Sequence, residues 1–184
     1  MGAQIQVVDN FLPAQLADSL EHMLLGNEFP WYYTPDITYG HSVNQEVKNP
    51  AFSHSLYREE TGPSSFYLSV CNLPFLGSVK VTPSRVSRAV ALMQTPQMDI
   101  NSSLHNHPHV DTPNPHIVFL YYVCDSDGDT FMFSTDKDDH TITKQVTPKK
   151  NRALIFDGSI YHASSKPKAS NRCVINFNLN PFEQ

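Results

Sequence analysis

Glycine is scarce in this chain, 7 residues in 184, and the 14 prolines follow no period. That excludes collagen-like and short-repeat architectures. Cys71, Cys124 and Cys173 make an odd number without CxxC spacing, which argues against a zinc ribbon or a disulfide framework. Two of them stand inside apolar runs, where a thiol is usually inert. No apolar run approaches the roughly 18 residues that a membrane helix needs; the longest are segments such as 117–124 and 153–156. Basic charge is lacking too. With 13 Lys and Arg against 18 Asp and Glu the net charge is -5, so nucleic acid is not an expected partner. The first ten residues, MGAQIQVVDN, show neither a basic nor an apolar leader region, and Gln6 stands where a myristoylation signal needs Ser or Thr. Cytoplasm is the expected compartment, with no membrane partner.

Apolar residues at 40% and aromatics at 11% suffice for a globular core, and the length predicts a single domain over 1–184. Within it, 1–84 reads as helical support with a lid segment and 85–184 as a β-rich core. Residues 7–26 read as a short strand, a turn and an amphipathic helix. Pro13 suits its first turn, Leu16, Leu20, Met23 and Leu24 form its apolar face, and Gly26 stops it. Residues 28–78 show no clear period and predict a long surface or lid segment, with Trp31, Tyr32 and Tyr33 as packing aromatics. From 85 onward, strand-like runs at 85–94, 116–124, 130–133, 141–146, 152–156 and 172–179 alternate with turn residues. Such spacing predicts a jelly roll or barrel with the helix packed outside. In the last run Cys173, Ile175, Phe177 and Leu179 are apolar, whereas Arg172, Asn176 and Asn178 mark a polar face that meets solvent or lines a site.

His105, His107 and His109 crowd into five residues, and Asp111 follows at a spacing that puts it on the same face of an extended segment as His109. An HxD pair alone is common. The context here is His162, after an apolar run and a turn, and Arg172 ten residues later. Two imidazoles and one carboxylate form the facial triad that binds Fe(II) and leaves three coordination positions open.

In this order the motifs resemble the Fe(II)- and 2-oxoglutarate-dependent dioxygenases, most closely the prolyl 4-hydroxylase-like branch. His109-Val-Asp-Thr-Pro-Asn114 and Ile117-Val-Phe-Leu-Tyr-Tyr122 resemble the first-ligand strand and the Tyr-Tyr strand of the hypoxia-sensing prolyl hydroxylases. Asp127-Gly-Asp-Thr130 resembles the turn that opens the next strand, and 147–156 the Pro-Lys segment and strand before the distal histidine. The resemblance covers 85–181. It implies a mainly β fold with supporting helices, a double-stranded β-helix (jelly roll). It also implies His109, Asp111 and His162 as catalytic metal ligands for Fe(II), with 2-oxoglutarate and O2 as cosubstrates.

By the same resemblance Arg172 pairs with the far carboxylate of 2-oxoglutarate and Tyr122 hydrogen-bonds that carboxylate. The family's other cosubstrate tyrosine has no clear counterpart, and Gln94 is the nearest stand-in. Asn176 and Asn178 share Arg172's face. Asn178 is expected to touch substrate or the metal end of 2-oxoglutarate, and Asn176 to hydrogen-bond within the pocket. The implied reaction hydroxylates a C–H bond with release of succinate and CO2. The substrate is an unidentified peptide or small molecule, with a peptidyl prolyl or other amino-acid-type group favoured. His105, His107 and His116 read as loop solvation or support for the ligands. Arg58, Arg85 and Arg88 read as solvated charges that could also meet an anionic or peptide substrate. Two alternatives stand beside this reading: a non-catalytic jelly-roll binding module, and a cupin-type metalloenzyme using His105 or His107. The second lacks its glutamate, since 105–139 contains none.

Overall fold

The protein is described by a computed structural model over residues 5–37, 49–76, 84–97, 104–134 and 140–181. Eleven strands and one α-helix carry the fold among these residues. In chain order they are β1 (Gln6–Val8), α1 (Ala14–Leu25), β2 (Tyr32–Thr34), β3 (Ala51–Arg58), β4 (Gly62–Pro63) and β5 (Ser84–Gln94). There follow β6 (Ile117–Tyr122), β7 (Thr130–Phe133), β8 (Ile142–Val146), β9 (Arg152–Asp157), β10 (His162–Ser164) and β11 (Arg172–Pro181).

The larger sheet runs β1-β9-β6-β11-β5-β3-β2, with β4 on β3, and the smaller runs β10-β7-β8. All pairings are antiparallel, and the two sheets make the jelly roll that the strand spacing predicts. Alternation sorts the larger sheet's side chains. Phe119, Tyr121, Cys173, Ile175, Phe177, Ala89 and Ala91 enter one apolar cluster with the helix residues Ala17, Leu20 and Leu24. The opposite face of the same strands turns toward the smaller sheet.

Two regions differ from the sequence expectation. In α1 the buried stripe uses Ala17 with Leu20 and Leu24, while Leu16 is exposed at 39%; Pro13 occupies the cap position just before the helix. Within 28–78, the segment expected as a lid, β2 and β3 extend the larger sheet, and β3 pairs with β5 over most of its length. A bulge between Ser55 and Tyr57 interrupts β3, so its buried positions do not alternate regularly. The part of that segment at 38–48 lies outside the described residues.

Asn151 ties the helical layer to the sheet. Its backbone φ is 62°, a left-handed conformation that asparagine tolerates better than most residues. Its side-chain Oδ1 accepts from the Leu12 N–H at 2.8 Å and from the Tyr121 hydroxyl at 3.3 Å, while its Nδ2 donates to the Leu12 carbonyl at 2.8 Å. The three cysteines are free. No helix among the described residues is long and apolar enough to cross a membrane.

Candidate active site

His109 and His162 face each other across an isolated antiparallel bridge, exchanging N–H···O bonds of 3.0 and 2.9 Å. Directly opposed residues project to the same side of such a ladder, and Asp111, two positions on, returns to that side. One ligand atom from each of the three lies within 4.8 Å of the others. The Nε2 atoms of His109 and His162 stand 3.8 and 3.7 Å from Asp111 Oδ1.

Backbone carbonyls set the ring orientation. His109 Nδ1 lies 3.1 Å from the His107 carbonyl oxygen, and His162 Nδ1 lies 3.1 Å from that of Ile160. A carbonyl only accepts, so each Nδ1 carries a proton and each Nε2 is turned toward Asp111, where it donates to the carboxylate when the ring is protonated and offers a metal its lone pair when the ring is neutral. Burial alone would raise the Asp111 carboxyl. Neighbouring His162, then Arg88 and His109, outweigh it and hold the group well below the ordinary carboxylate range. Asn176 Nδ2 donates to Asp111 Oδ2 at 3.0 Å, leaving Oδ1 on the side of the histidines. Two neutral nitrogens and a carboxylate oxygen, each oriented by a hydrogen bond or by the bridge, are the donor set that suits a divalent iron.

The triad opens into a cavity of about 430 Å³ between the two sheets, a size proper to a small-molecule site. Val90, Leu92, Leu120, Phe156 and Val174 give it apolar walls. Arg172 lies at the other end, four residues and roughly 13 Å of strand from Asn176. It is 5% exposed, and its hydrogen bonds go to neutral acceptors: Nε to the Gly128 carbonyl at 2.9 Å, Nη1 to Gln94 Oε1 at 3.3 Å and Nη2 to Thr130 Oγ1 at 2.9 Å. Glycine is needed at 128, because a Cβ there would lie 2.9 Å from Arg172 Cδ. A buried cation with neutral partners is costly, and burial pushes its pKa down.

Two donors stand beside this cation. Gln94 turns its oxygen to Arg172, so its Nε2 donor is fixed, and that atom is buried without a partner among the described residues. Thr130 Oγ1 accepts from both Arg172 and the Tyr122 hydroxyl, the latter at 2.8 Å, so both its lone pairs are used and its own proton is left to donate. Gln94, Thr130 and Arg172 all line the cavity. Their surplus of donors and positive charge matches a carboxylate.

The remaining expected positions fall elsewhere. Tyr122 does not line the cavity; wholly buried, it spends its hydroxyl on Thr130 and lies beside the guanidinium, 5.9 Å from ring centroid to Cζ. The hydroxyl that lines the cavity here is that of Thr130, which the sequence reading placed in a turn motif and at the start of a strand-like run. Asn176 reaches the triad, whereas Asn178, 3% exposed, is not in the cavity wall. Asn176 thus makes the within-pocket hydrogen bond expected of it, while Asn178, expected nearer the metal end, stands outside the wall, because the side chain that meets Asp111 is four positions from Arg172, not six. His105 packs against Phe133 with ring centroids 4.7 Å apart, and His116 lies beneath Gly158, where a Cβ would come 2.2 Å from its ring. Of the extra histidines, His107 supports the triad through its carbonyl. Arg58 and Arg88, read as solvated, both line the cavity.

Residues 94–180 match the family model of the 2OG-Fe(II) oxygenase superfamily. No curated protein matches the chain. Among solved structures, a Trichoplax adhaerens prolyl hydroxylase in complex with a hypoxia-inducible-factor peptide aligns with a TM-score of 0.61 at 15% identity, over 96% of this chain and 83% of that one. A Pseudomonas putida prolyl-4-hydroxylase aligns at 0.60 and 12% identity, over 99% and 95%. HygX from Streptomyces hygroscopicus, with nickel, 2-oxoglutarate and hygromycin B bound, aligns at 0.57 and 11% identity, over 97% and 83%. At these identities the structures share the fold.

Proposed function

Because the chain belongs, through residues 94–180, to the 2OG-Fe(II) oxygenase superfamily, with Fe(II) as its metal and 2-oxoglutarate and O2 as its cosubstrates, we propose that it hydroxylates an amino-acid-type substrate, peptidyl proline included, releasing succinate and CO2. We assign His109, Asp111 and His162 as the iron ligands, Arg172 with Gln94 and Thr130 as the clamp on the far carboxylate of 2-oxoglutarate, and the whole chain as one catalytic domain. The observation that carries this reading is the pairing, in one cavity, of an oriented two-histidine, one-carboxylate set with a buried guanidinium that makes no ion pair among the described residues.

Bound iron supplies the oxidising chemistry. The chain's residues supply the rest. Arg172 and its two neighbouring donors orient the diacid lengthwise, the apolar wall keeps bulk water from the reacting carbon, and Asn176 holds Asp111 so that one oxygen faces the histidines. The resemblance to the oxygenase family makes the carboxylate at Asp111 an argument for hydroxylation over halogenation, which would need that position open for chloride.

Incubation with Fe(II), 2-oxoglutarate and O2 carrying heavy oxygen, in the presence of prolyl peptides or free amino acids, tests the proposal. One heavy oxygen in the product and matching succinate are expected. Succinate with an isomerised, unoxygenated product would contradict hydroxylation.

A further inference from the structure

Arg88 on β5 and Arg58 on β3 are direct cross-strand partners, and both line the cavity. Like charges directly opposed on one face of a sheet are destabilising. The pairing depends on the β3 bulge. Before it, Ser53 and Ser55 lie opposite Leu92 and Val90, on the cavity-facing parity of β5; after it, Tyr57 lies opposite Ala89 and Arg58 opposite Arg88. Without the extra residue, period two would turn Arg58 away from the cavity. Bulges next to sites commonly re-aim a side chain in this way.

The charge of the pair is poorly compensated. Arg88 is partly buried, and its nearest carboxylate is Asp111, with Nη1 3.8 Å from Oδ2, beyond hydrogen-bond distance. That oxygen already accepts from Asn176, and the other faces the two histidines. Arg58 donates from Nε to Ser55 Oγ at 3.2 Å and makes no ion pair among the described residues. Neighbouring Glu59 is engaged by Arg85 at 3.2 Å. Asp36 also borders the cavity, and its Oδ1 accepts from the Asn49 N–H at 3.4 Å. Nor can the pair serve the same short diacid as Arg172: Arg88 precedes Gln94, the partner of Arg172, by six residues, roughly 20 Å of strand. The cavity thus has a cationic group at each end, and a role confined to steadying Asp111 leaves the re-aimed Arg58 without a use.

We propose that Arg58 and Arg88 form an oxyanion subsite at the metal end of the cavity, and that the oxidised substrate carries a carboxylate or phosphate that docks there. The subsite rests on the oxygenase reading for its meaning, but its binding is measurable separately. Titration calorimetry of the full chain with inorganic phosphate, and in parallel with acetate, under saturating 2-oxoglutarate, compares wild type with Arg58→Gln, Arg88→Gln and Arg85→Gln. Saturable binding of at least one anion is expected, weakened by about tenfold or more in the first two variants and unchanged in Arg85→Gln. The better-bound anion identifies the substrate's acid group. Absence of saturable binding by both anions, or wild-type affinity in Arg58→Gln, overturns the subsite. Anion binding that persists in a protein unable to form the Fe(II)–2-oxoglutarate chelate overturns the oxygenase reading and leaves the subsite standing. Arg58 is exposed, so its substitution tests binding without endangering the fold.

Discussion

Odd-numbered side chains of β11, from Cys173 to Leu179, close on Ala89, Ala91 and Phe119 in an apolar cluster, while Arg172, Val174 and Asn176 on its other face line a cavity. The first face is complete as folded, because dispersion and burial need no partner beyond neighbouring side chains. The second holds, among the described residues, a guanidinium without an ion pair, an amide donor without an acceptor and a carboxylate between two imidazoles. Polar groups buried in this condition cost stability, and the protein keeps them where ligands can supply the missing partners. One strand thus separates by parity the residues that make the fold from those that make the site.

Substitutions on the two faces should therefore separate binding from stability. The largest effect is expected for His162→Ala, which removes a metal donor: Fe(II) affinity should fall by about 100-fold or more, with succinate formation lost and the melting transition nearly unchanged. Near-normal iron affinity in that variant would break the division. Next comes Phe177→Ala on the closed face. Chemical denaturation should show a loss of about 3–5 kcal/mol, while the folded fraction binds iron and 2-oxoglutarate as wild type does. Arg172→Ala should cost about 1.5–3 kcal/mol of 2-oxoglutarate binding by calorimetry and leave iron affinity alone. Equal weakening of both ligands would instead mean a collapsed cavity. The smallest effect belongs to Tyr122→Phe. With its hydroxyl on Thr130 and off the cavity wall, the change should remove about 1 kcal/mol of stability and alter 2-oxoglutarate affinity by less than roughly threefold.

The sharpness of this parity explains why the C-terminal half was legible in the sequence. β11 alternates with the bulge only at Asn178/Leu179, near its end, so Arg172, Val174 and Asn176 could be placed on one face from spacing alone. His109, Asp111 and His162 were found through their residue types and order. The N-terminal half hid its contribution. In β3 the bulge breaks the alternation midway, and a strand with irregular burial reads as loop. Thr130 escaped notice because a threonine after a turn is an ordinary strand residue; only the structure shows two donors converging on its oxygen. Arg88 left a signal that could have been used. It shares the parity of Gln94 on β5, so once Gln94 was placed at the cosubstrate, Arg88 belonged on the cavity wall.

The central claim, one iron and one 2-oxoglutarate held together in this cavity, is tested most directly by anaerobic titration of the chain with Fe(II) and 2-oxoglutarate, following the weak visible charge-transfer band of the chelate. The account predicts a band that requires both components, saturates at one of each per chain and is absent in His162→Ala. A chain that gives no band, or a His162→Ala variant that gives the same band as wild type, would contradict it.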